Sequence, residues 1–168
     1  MIEITEAELS QLPLVQDIAH RTWPSTFGHI LSGEQIAYML DWMYSPSALE
    51  RQAQEKGHVF LLARDTDTGQ WVGYASYEVH YQAQPRTKLH KIYLLPNQQG
   101  KGVGRALLEH VEKAARTHGD QYLALNVNRH NRAVQFYERV GFRQVGQETI
   151  DIGQGFVMDD YVMEKALE

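Results

Sequence analysis

Cysteine is absent from the 168-residue chain. Its absence excludes disulfide bonds, cysteine nucleophiles and thiolate metal sites, and it fits a reducing compartment. No apolar run approaches the ~20 residues that a membrane-spanning helix needs, so we expect no membrane segment. The acidic and mixed start of the chain, MIEITEAELSQ, lacks the pattern of a secretory signal, which predicts a cytoplasmic location.

An excess of basic charge is also missing, since 16 Lys and Arg stand against 21 Asp and Glu, a formal net charge of -5. Domains that bind nucleic-acid phosphates are usually basic, so we expect no nucleic-acid partner. The chain instead has the composition of an ordinary globular protein, with 43% hydrophobic and 22% charged residues. Its length and the lack of internal repeats predict one domain over residues 1–168.

Histidine is frequent, with eight residues, but the spacing of these residues is not that of a metal site. No two of them form a His-x-x-x-His pair, and no carboxylate-linked zinc motif is present. The sequence therefore predicts that the protein holds no metal.

Three helices are predicted in the first third of the chain. The first has an apolar face over residues 12–22 and is expected to end near Pro24. Ser32 begins the second with a capping box, and Ser45 begins the third ahead of a proline at the first helical position. Both starts are set by local side-chain chemistry rather than by overall hydrophobicity.

Strands dominate the remainder of the chain, beside one short strand predicted at its start. Apolar, aromatic and β-branched runs predict them at 2–5, 59–63, 71–81, 88–95, 122–127, 143–151 and 156–164. Helices are predicted at 103–118 and after Asn131. The strand–helix–strand order from 88 to 127 indicates a parallel crossover within a mixed sheet. The predicted fold class is therefore α+β, a mixed α/β sandwich with a central mixed sheet flanked by helices.

A glycine-rich turn joins the strand at 88–95 to the helix at 103–118. Three alternate glycines allow positive φ angles and close approach of a ligand to the backbone: Gly100, Gly102 and Gly104. The free N–H groups and the dipole at the start of the following helix favour an anion such as a pyrophosphate. A Walker A loop is excluded because Gly102 follows Lys101, and a dinucleotide fingerprint would need glycine where Arg105 stands.

The segment Gln99-Gly100-Lys101-Gly102-Val103-Gly104 resembles the Q/R-x-x-G-x-G/A signature of the GNAT superfamily of acetyl-CoA-dependent N-acetyltransferases. The block Asn131-Arg132-Ala133-x-x-Phe136-Tyr137-x-x-x-Gly141-Phe142 is similar to a later motif of that superfamily. The two motifs stand in the family's order, and the resemblance spans nearly the whole chain. It implies the GNAT-like acetyltransferase fold and transfer of an acetyl group from acetyl-CoA to an amine.

The resemblance also implies a coenzyme site. The backbone of the glycine-rich turn would cradle the pyrophosphate, with Gln99, Gly100, Lys101, Gly102, Val103, Gly104 and Arg105 as its residues. Gln99 stands where arginine is commoner, so Lys101 or Arg105 is expected to supply the positive charge. Ile92 and Leu94 would pair with the pantetheine arm, and the Leu94 N–H would polarise the thioester carbonyl. Asn131 would hydrogen-bond the coenzyme, although its position fits a helix N-cap equally well.

Acetyl transfer to an amine needs a proton acceptor, because an alkyl ammonium has a pKa of about 10.4. Glu78, on the strand before the coenzyme strand, and His90, on the coenzyme strand, are the two candidate bases, acting directly or through water. The alternatives are ordinary polar surface positions and loss of the proton to solvent. Tyr137 stands where the family has its tyrosine and would be the acid that protonates the departing thiolate; without the resemblance it is a core tyrosine.

The resemblance implies that the helices after the first strand shape the acceptor pocket, which is the aromatic region 22–44 in this chain. Aromatic faces bind cations, and Glu34 or Asp41 could pair with an amine. Trp23, Phe27 and Trp42 fit either this pocket or a packed core. The predicted acceptor is therefore a small cationic amine such as a polyamine. Acetylation of protein N-termini or lysines, and a non-catalytic acyl-CoA sensor, are the alternatives. A homodimer through the late strands is a further expectation.

Overall fold

The computed structural model describes all residues from Met1 to Glu168. The elements follow in the order β1 (Ile2–Glu6), α1 (Leu12–Phe27), α2 (Gly33–Tyr44), α3 (Pro46–Gln54), β2 (Val59–Asp65), β3 (Trp71–Glu78), β4 (Arg86–Leu94), α4 (Val103–Thr117), β5 (Tyr122–Asn128), α5 (Ala133–Arg139), β6 (Arg143–Gly153) and β7 (Phe156–Ala166). One mixed sheet with helices on both faces confirms the predicted α+β class. None of the helices combines the length and the apolar character that crossing a bilayer requires.

The seven strands form a single sheet in the order β1-β2-β3-β4-β5-β7-β6. All neighbours are antiparallel except β4 and β5, which are parallel and joined by α4. This is the crossover that the strand–helix–strand pattern predicted, and it brings the start of α4 to the end of β4.

Two separate cores cover the two faces of the sheet. On one side, which we name the α4 face, Leu107 and Val111 of α4 pack with buried residues of the strands and with Tyr137 of α5. On the other side, the α1 face, α1 to α3 bury residues such as Trp23 and Leu40 against the sheet. Each strand therefore sends alternate side chains into two different environments.

A gap opens between β4 and β5 because their pairing is short. Their register runs only from Arg86 opposite Tyr122 to Leu89 opposite Leu125. Beyond that point β4 pairs only with β3, and β5 pairs only with β7. The gap lies at the end of β4 where the glycine-rich turn leads into α4, so the sheet is open where the anion-binding turn was predicted.

A β-bulge accounts for the divergence of β4. Leu89 pairs with Tyr77 of β3 and Lys91 pairs with Ser76, so His90 is an extra residue in the ladder. An extra residue bends the strand and increases its local twist. Leu89 packs on the α4 face, whereas both His90 and Lys91 contact residues of the α1 face.

The predicted end of the first helix was wrong. α1 continues through Pro24 to Phe27, and the Gly28 N–H donates to the Pro24 carbonyl. Proline costs helix stability by removing a hydrogen bond and restricting the residue before it. Here that residue is Trp23, which is fully buried against the rings of Phe27 and Tyr44, so burial of a large aromatic side chain outweighs the local preference.

The starts of α2 and α3 were predicted correctly. The Ser32 hydroxyl accepts the Gln35 N–H at 3.1 Å, and the Ser45 hydroxyl accepts the Ala48 N–H at 3.3 Å. Each cap satisfies an N–H group that has no partner within its helix. The two caps fix where α2 and α3 begin, and α2 forms part of the wall of the cavity described next.

Candidate active site

A cavity of about 1420 Å³ lies at the gap between β4 and β5. It is lined by residues of the glycine-rich turn, β4, β5, α1, α2, α5 and the β6–β7 hairpin. A volume of this size exceeds that of a typical small-ligand pocket. It is large enough to hold two reactants that meet between the strands.

The glycine-rich turn has the geometry of an anion site. Gly100 and Gly102 have φ angles of 81° and 82°, and an added Cβ at either would meet no atom within 4 Å. The glycines are therefore required by backbone conformation, and they leave open space for a ligand. No side chain caps α4, so the first N–H groups of this helix are free to bind an anion.

The structure distinguishes the two side chains that could supply the positive charge missing at Gln99. Arg105 lines the cavity with Gln99, Gly100, Gly102, Val103 and Gly104, whereas Lys101 does not line it. Arg105 is accordingly the better candidate for the charge that a pyrophosphate needs, and Lys101 stays an exposed residue of the turn.

Backbone groups of β4 face the gap at two predicted positions. The Leu95 N–H donates to the Val72 carbonyl of β3 at 2.9 Å. N–H groups alternate in direction along a strand, so those of Leu94 and Ile92 point away from β3. β5 does not pair with β4 at this level, and both N–H groups are left for a ligand in the gap.

Asn131 lines the cavity and takes part in the start of α5. Its Oδ1 accepts the Ala133 N–H at 2.9 Å. The N-cap expectation was wrong by one residue, because Arg132 occupies the N-cap position and offers no side-chain cap. The Asn131 Nδ2 has no protein acceptor and is left as a hydrogen-bond donor at the cavity wall.

Tyr137 belongs both to the core and to the cavity. Its ring packs edge-on against Phe136 and Phe142, with centroids 5.5 Å apart in each case, and only 6% of the residue is exposed. Burial raises the pKa of Tyr137 well above its usual range. The phenol therefore stays protonated at neutral pH and can only donate a proton or a hydrogen bond.

The two candidate bases are in contact with each other. His90 Nε2 lies 3.0 Å from Glu78 Oε1, and the same oxygen is 3.4 Å from Nε2 of a third residue, His58. Of the three, only His90 lines the cavity. Glu78 stands behind His90, so the alternatives left open by the sequence form one hydrogen-bonded pair.

Both imidazoles are neutral at physiological pH. Burial, with nearby positive charge, lowers the pKa of His58 to about 4 and that of His90 to about 2. Burial raises the pKa of Glu78 above its usual range. Because a neutral imidazole has only one N–H, donation to Glu78 places that hydrogen on Nε2 and leaves Nδ1 as an acceptor.

These three residues also form the kind of donor set that binds zinc, with ligand atoms all within 4.8 Å of one another. The sequence-based exclusion of a metal rested on local spacing, and local spacing could not detect a cluster drawn from three separate parts of the chain. Three lysines act against a dication here, since they are among the charges that lower the two histidine pKa values: Lys56, Lys88 and Lys91.

Lys91 was not singled out by the sequence analysis. Its Nζ donates to Gln52 Oε1 at 2.7 Å and lies 5.6 Å from the ring centroids of Tyr44 and Phe60. Burial lowers the pKa of Lys91 to about 7. Two adjacent polar residues, His90 and Lys91, interrupt the alternation of an otherwise regular strand, and this interruption is the signal that predicts a bulge.

The acceptor side of the cavity combines aromatic and acidic groups. Trp23 and Phe27 line it from the core, and Trp42, which is 49% exposed, lines its rim. These three aromatic residues belong to the cavity wall as well as to helix packing. Glu34 and Asp41 do not line the cavity, so the predicted acidic partners were wrong. Both lie on the solvent side of α2, because its apolar face turns inward.

Two other carboxylates occupy the cavity wall instead. Glu148 of β6 lies directly opposite Asp160 of β7 in the antiparallel ladder. Asp160 is 3% exposed, and burial followed by the charge of Glu148 raises its pKa. Asn126 Nδ2 donates to Asp160 Oδ2 at 3.4 Å, and Lys88 Nζ donates to Asn126 Oδ1 at 2.6 Å. Neither carboxylate forms an ion pair with lysine or arginine.

Comparison with known families is consistent with this geometry. Residues 30–165 match the acetyltransferase (GNAT) domain family. The chain belongs to the GNAT family. It is therefore an acetyl-CoA-dependent N-acetyltransferase, and the open gap with its glycine-rich turn is the part of the GNAT fold that the resemblance assigned to the coenzyme.

Individual relatives support the same assignment. An uncharacterised N-acetyltransferase of Mycobacterium tuberculosis is 32% identical over 152 residues, which is 89% of this chain and 94% of the relative. The spermidine N(1)-acetyltransferase of Thermoplasma acidophilum is 25% identical over 99% of this chain and 98% of its own. The crystal structure of the PaiA N-acetyltransferase of T. acidophilum in complex with coenzyme A has a TM-score of 0.80 at 25% identity, covering 99% of both chains.

Proposed function

We propose that this GNAT enzyme acetylates a primary amine of a small cationic metabolite such as a polyamine. The pair Glu148 and Asp160 is the observation that supports this most strongly. Like charges directly opposite each other in a ladder are destabilising, and a bound ammonium group would relieve the repulsion. The exposed ring of Trp42 offers a second surface for a cation at the cavity rim. The similarity to a spermidine acetyltransferase points to the same substrate class.

Acetyl-CoA is proposed to lie in the gap between β4 and β5. The N–H groups at the start of α4 and the Arg105 side chain would hold its pyrophosphate. The N–H groups of Ile92 and Leu94 would pair with the pantetheine arm and polarise the thioester carbonyl. The Asn131 Nδ2 would donate a further hydrogen bond to the coenzyme. Each assignment uses a donor that has no protein partner.

The proton is proposed to leave the acceptor ammonium through His90. Its Nδ1 accepts the proton, and the Nε2–H passes to Glu78 Oε1, 3.0 Å away. Burial lowers the pKa of His90 to about 2 and raises that of Glu78, so the proton comes to rest on the carboxylate rather than on the imidazole. His90 thus acts as a relay, and Glu78 is the base.

The neutral amine then attacks the thioester carbonyl, forming the C–N bond as the C–S bond breaks. The thiolate that departs needs a proton. Tyr137 lines the cavity with its phenol held protonated by burial, and it is the proposed donor. Solvent returns a proton to Tyr137 and removes one from Glu78, which completes the cycle.

The test is thiol release from acetyl-CoA across polyamines, amino acids, aminoglycosides and short peptides. We expect turnover with polyamines, and we expect Glu148→Gln with Asp160→Asn to raise KM for the amine while leaving KM for acetyl-CoA unchanged. Glu34→Gln with Asp41→Asn is the matched control, since both acids lie outside the cavity. Preference for peptides would favour a protein acceptor. Coenzyme binding without turnover on any acceptor would favour an acyl-CoA sensor.

A further inference from the structure

His58 lies immediately before β2, beside the pair formed by Glu78 and His90. Its ring stacks on that of His90, with centroids 3.9 Å apart and planes inclined by 14°. Its Nε2 is 3.4 Å from the Glu78 oxygen that also contacts His90. The His58 side chain is 10% exposed, and its Nδ1 is buried without a hydrogen-bond partner. Burying the His58 ring leaves Nδ1 without a hydrogen-bond partner, and this cost points to a role for Nε2.

The shared oxygen determines what His58 can do. Glu78 Oε1 is hydrogen-bonded to His90 Nε2, and His58 Nε2 lies 3.4 Å from the same oxygen as a second polar contact. Each N–H that points at the carboxylate favours its ionised form. His58 therefore supports the charge that must attract the proton arriving through His90.

The stacked rings have a second effect. His58 lies flat against one face of His90, and the Tyr81 ring meets His90 edge-on at 5.7 Å. Together these contacts restrict rotation of the His90 side chain. A fixed ring keeps Nε2 on Glu78 and leaves Nδ1 without a protein partner at the cavity wall.

We propose that His58 is a positioning residue for the proton acceptor, holding the Glu78 carboxylate and the His90 ring so that His90 presents Nδ1 to the acceptor amine. The inference rests on the proposed function. The titratable groups around His58 come from several elements. Lys56 lies ahead of β2, Glu78 at the end of β3 and Tyr81 in the loop between β3 and β4. The other three are on β4: Lys88, His90 and Lys91.

Two substitutions separate the polar contact of His58 with Glu78 from the stacking on His90. His58→Phe keeps an aromatic ring against His90 and removes the N–H, whereas His58→Gln keeps an N–H donor and removes the ring. We expect His58→Phe to lower kcat by roughly tenfold, part of the ~10²–10⁴-fold that a general base supplies. KM for acetyl-CoA should not change, because His58 does not line the cavity.

The pH profile distinguishes positioning from a general structural role. Loss of the His58 Nε2–H beside the ionised carboxylate raises the pKa of Glu78 further, so the acidic limb of kcat/KM should move to higher pH in His58→Phe. In His58→Gln the limb should stay near its wild-type position. His20→Phe, at an exposed position of α1, is the control and should match wild type in both measurements.

Nitrogen-15 NMR of the imidazoles gives a readout that needs no turnover. We expect both His58 and His90 to be Nε2–H tautomers between pH 6 and 8, and His90 to become a tautomer mixture in His58→Phe. An unchanged pH profile and tautomer in that folded variant would overturn the inference while leaving the proposed function intact. Stoichiometric zinc binding that shifts both imidazoles and is reversed by a chelator would replace it with a metal site. Absence of acetyl transfer in the wild type would instead defeat the proposed function, and the tautomer measurement would still decide the role of His58.

Discussion

The two faces of the sheet are built differently. On the α4 face, Leu107 and Val111 pack among apolar strand residues, and the buried carboxylate of Glu112 accepts a hydrogen bond from Lys165. The α1 face buries the polar groups Ser76, Lys91 and Asp160 and holds the cluster around Glu78. Burial of polar and ionisable groups costs stability unless they are paired. The comparison indicates that the α4 face supplies most of the stability of the enzyme, while the α1 face holds the proposed proton acceptor at the expense of stability.

Removing the relay tests the chemical face most directly. His90→Gln keeps an N–H for Glu78 but removes the acceptor at Nδ1. We expect kcat to fall by ~10²–10⁴-fold, the range for loss of a general acid–base group. The free energy of unfolding should not decrease, because a buried imidazole is removed. Steady-state kinetics with urea denaturation check both. A loss of stability with kcat unchanged would reverse the comparison.

Truncating the core tests the opposite face. Leu107→Ala in α4 removes a fully buried side chain, and we expect the free energy of unfolding to fall by about 2–5 kcal/mol. Per folded molecule, kcat should stay close to the wild-type value. Chemical denaturation followed by activity measured at low temperature separates the two quantities. A drop in kcat beyond the unfolded fraction would show that the packing of this core, and not only Tyr137 at the cavity, contributes to catalysis.

Replacing the buried lysine should increase the free energy of unfolding instead of decreasing it. Lys91→Met removes an amine whose pKa burial lowers to about 7, and we expect a gain of about 1–4 kcal/mol at pH 7, the range seen when buried charged groups become apolar. The folded pKa lies below the ordinary value of 10.5, so wild-type stability is lost as pH falls from about 10.5 toward 7. Urea titrations at pH 7 and 9 should show this dependence in the wild type and not in Lys91→Met. An equal dependence in both proteins would contradict the burial argument.

Acid sensitivity is the smallest expected difference. The folded pKa values of His58 and His90, about 4 and 2, lie below the ordinary 6.5, so the unfolded chain takes up protons first. Their contribution is complete above pH 6.5 and is lost as the pH falls toward 4 for His58 and toward 2 for His90. His58→Phe should flatten part of this slope in urea titrations at pH 7, 6 and 5, whereas the surface variant His20→Phe should not.

Features that depend on neighbouring residues could be predicted from the sequence. The serine caps of α2 and α3, the glycine-rich turn and the crossover through α4 each follow from a short pattern, and the structure confirms them. The end of α1 could not be predicted, because the burial of Trp23 that extends it involves a residue of α2 and one of β4.

Only part of the candidate site could be predicted from short sequence patterns. Glu78 and His90 were identified separately, but their contact depends on the register of β3 against β4 and on one extra residue in that ladder. His58 joins them from the position immediately before β2. Glu148 and Asp160 reach the cavity wall, and Asp41 and Glu34 do not, because the β6–β7 hairpin, far along the chain, forms part of that wall together with the inner side of α2. Contacts between residues so far apart in the chain cannot be predicted from a short sequence pattern.

The extra residue in β4 determines which changes in chain length this strand can tolerate. Leu89 pairs with Tyr77 and Lys91 pairs with Ser76, so deletion of His90 would leave a regular ladder in which Lys91 and the residues beyond it keep their faces. The deletion would therefore remove the imidazole together with the bulge that bends β4 away from β5. We expect natural variants of this enzyme to keep the length of β4, so that insertions and deletions accumulate in the loops around it.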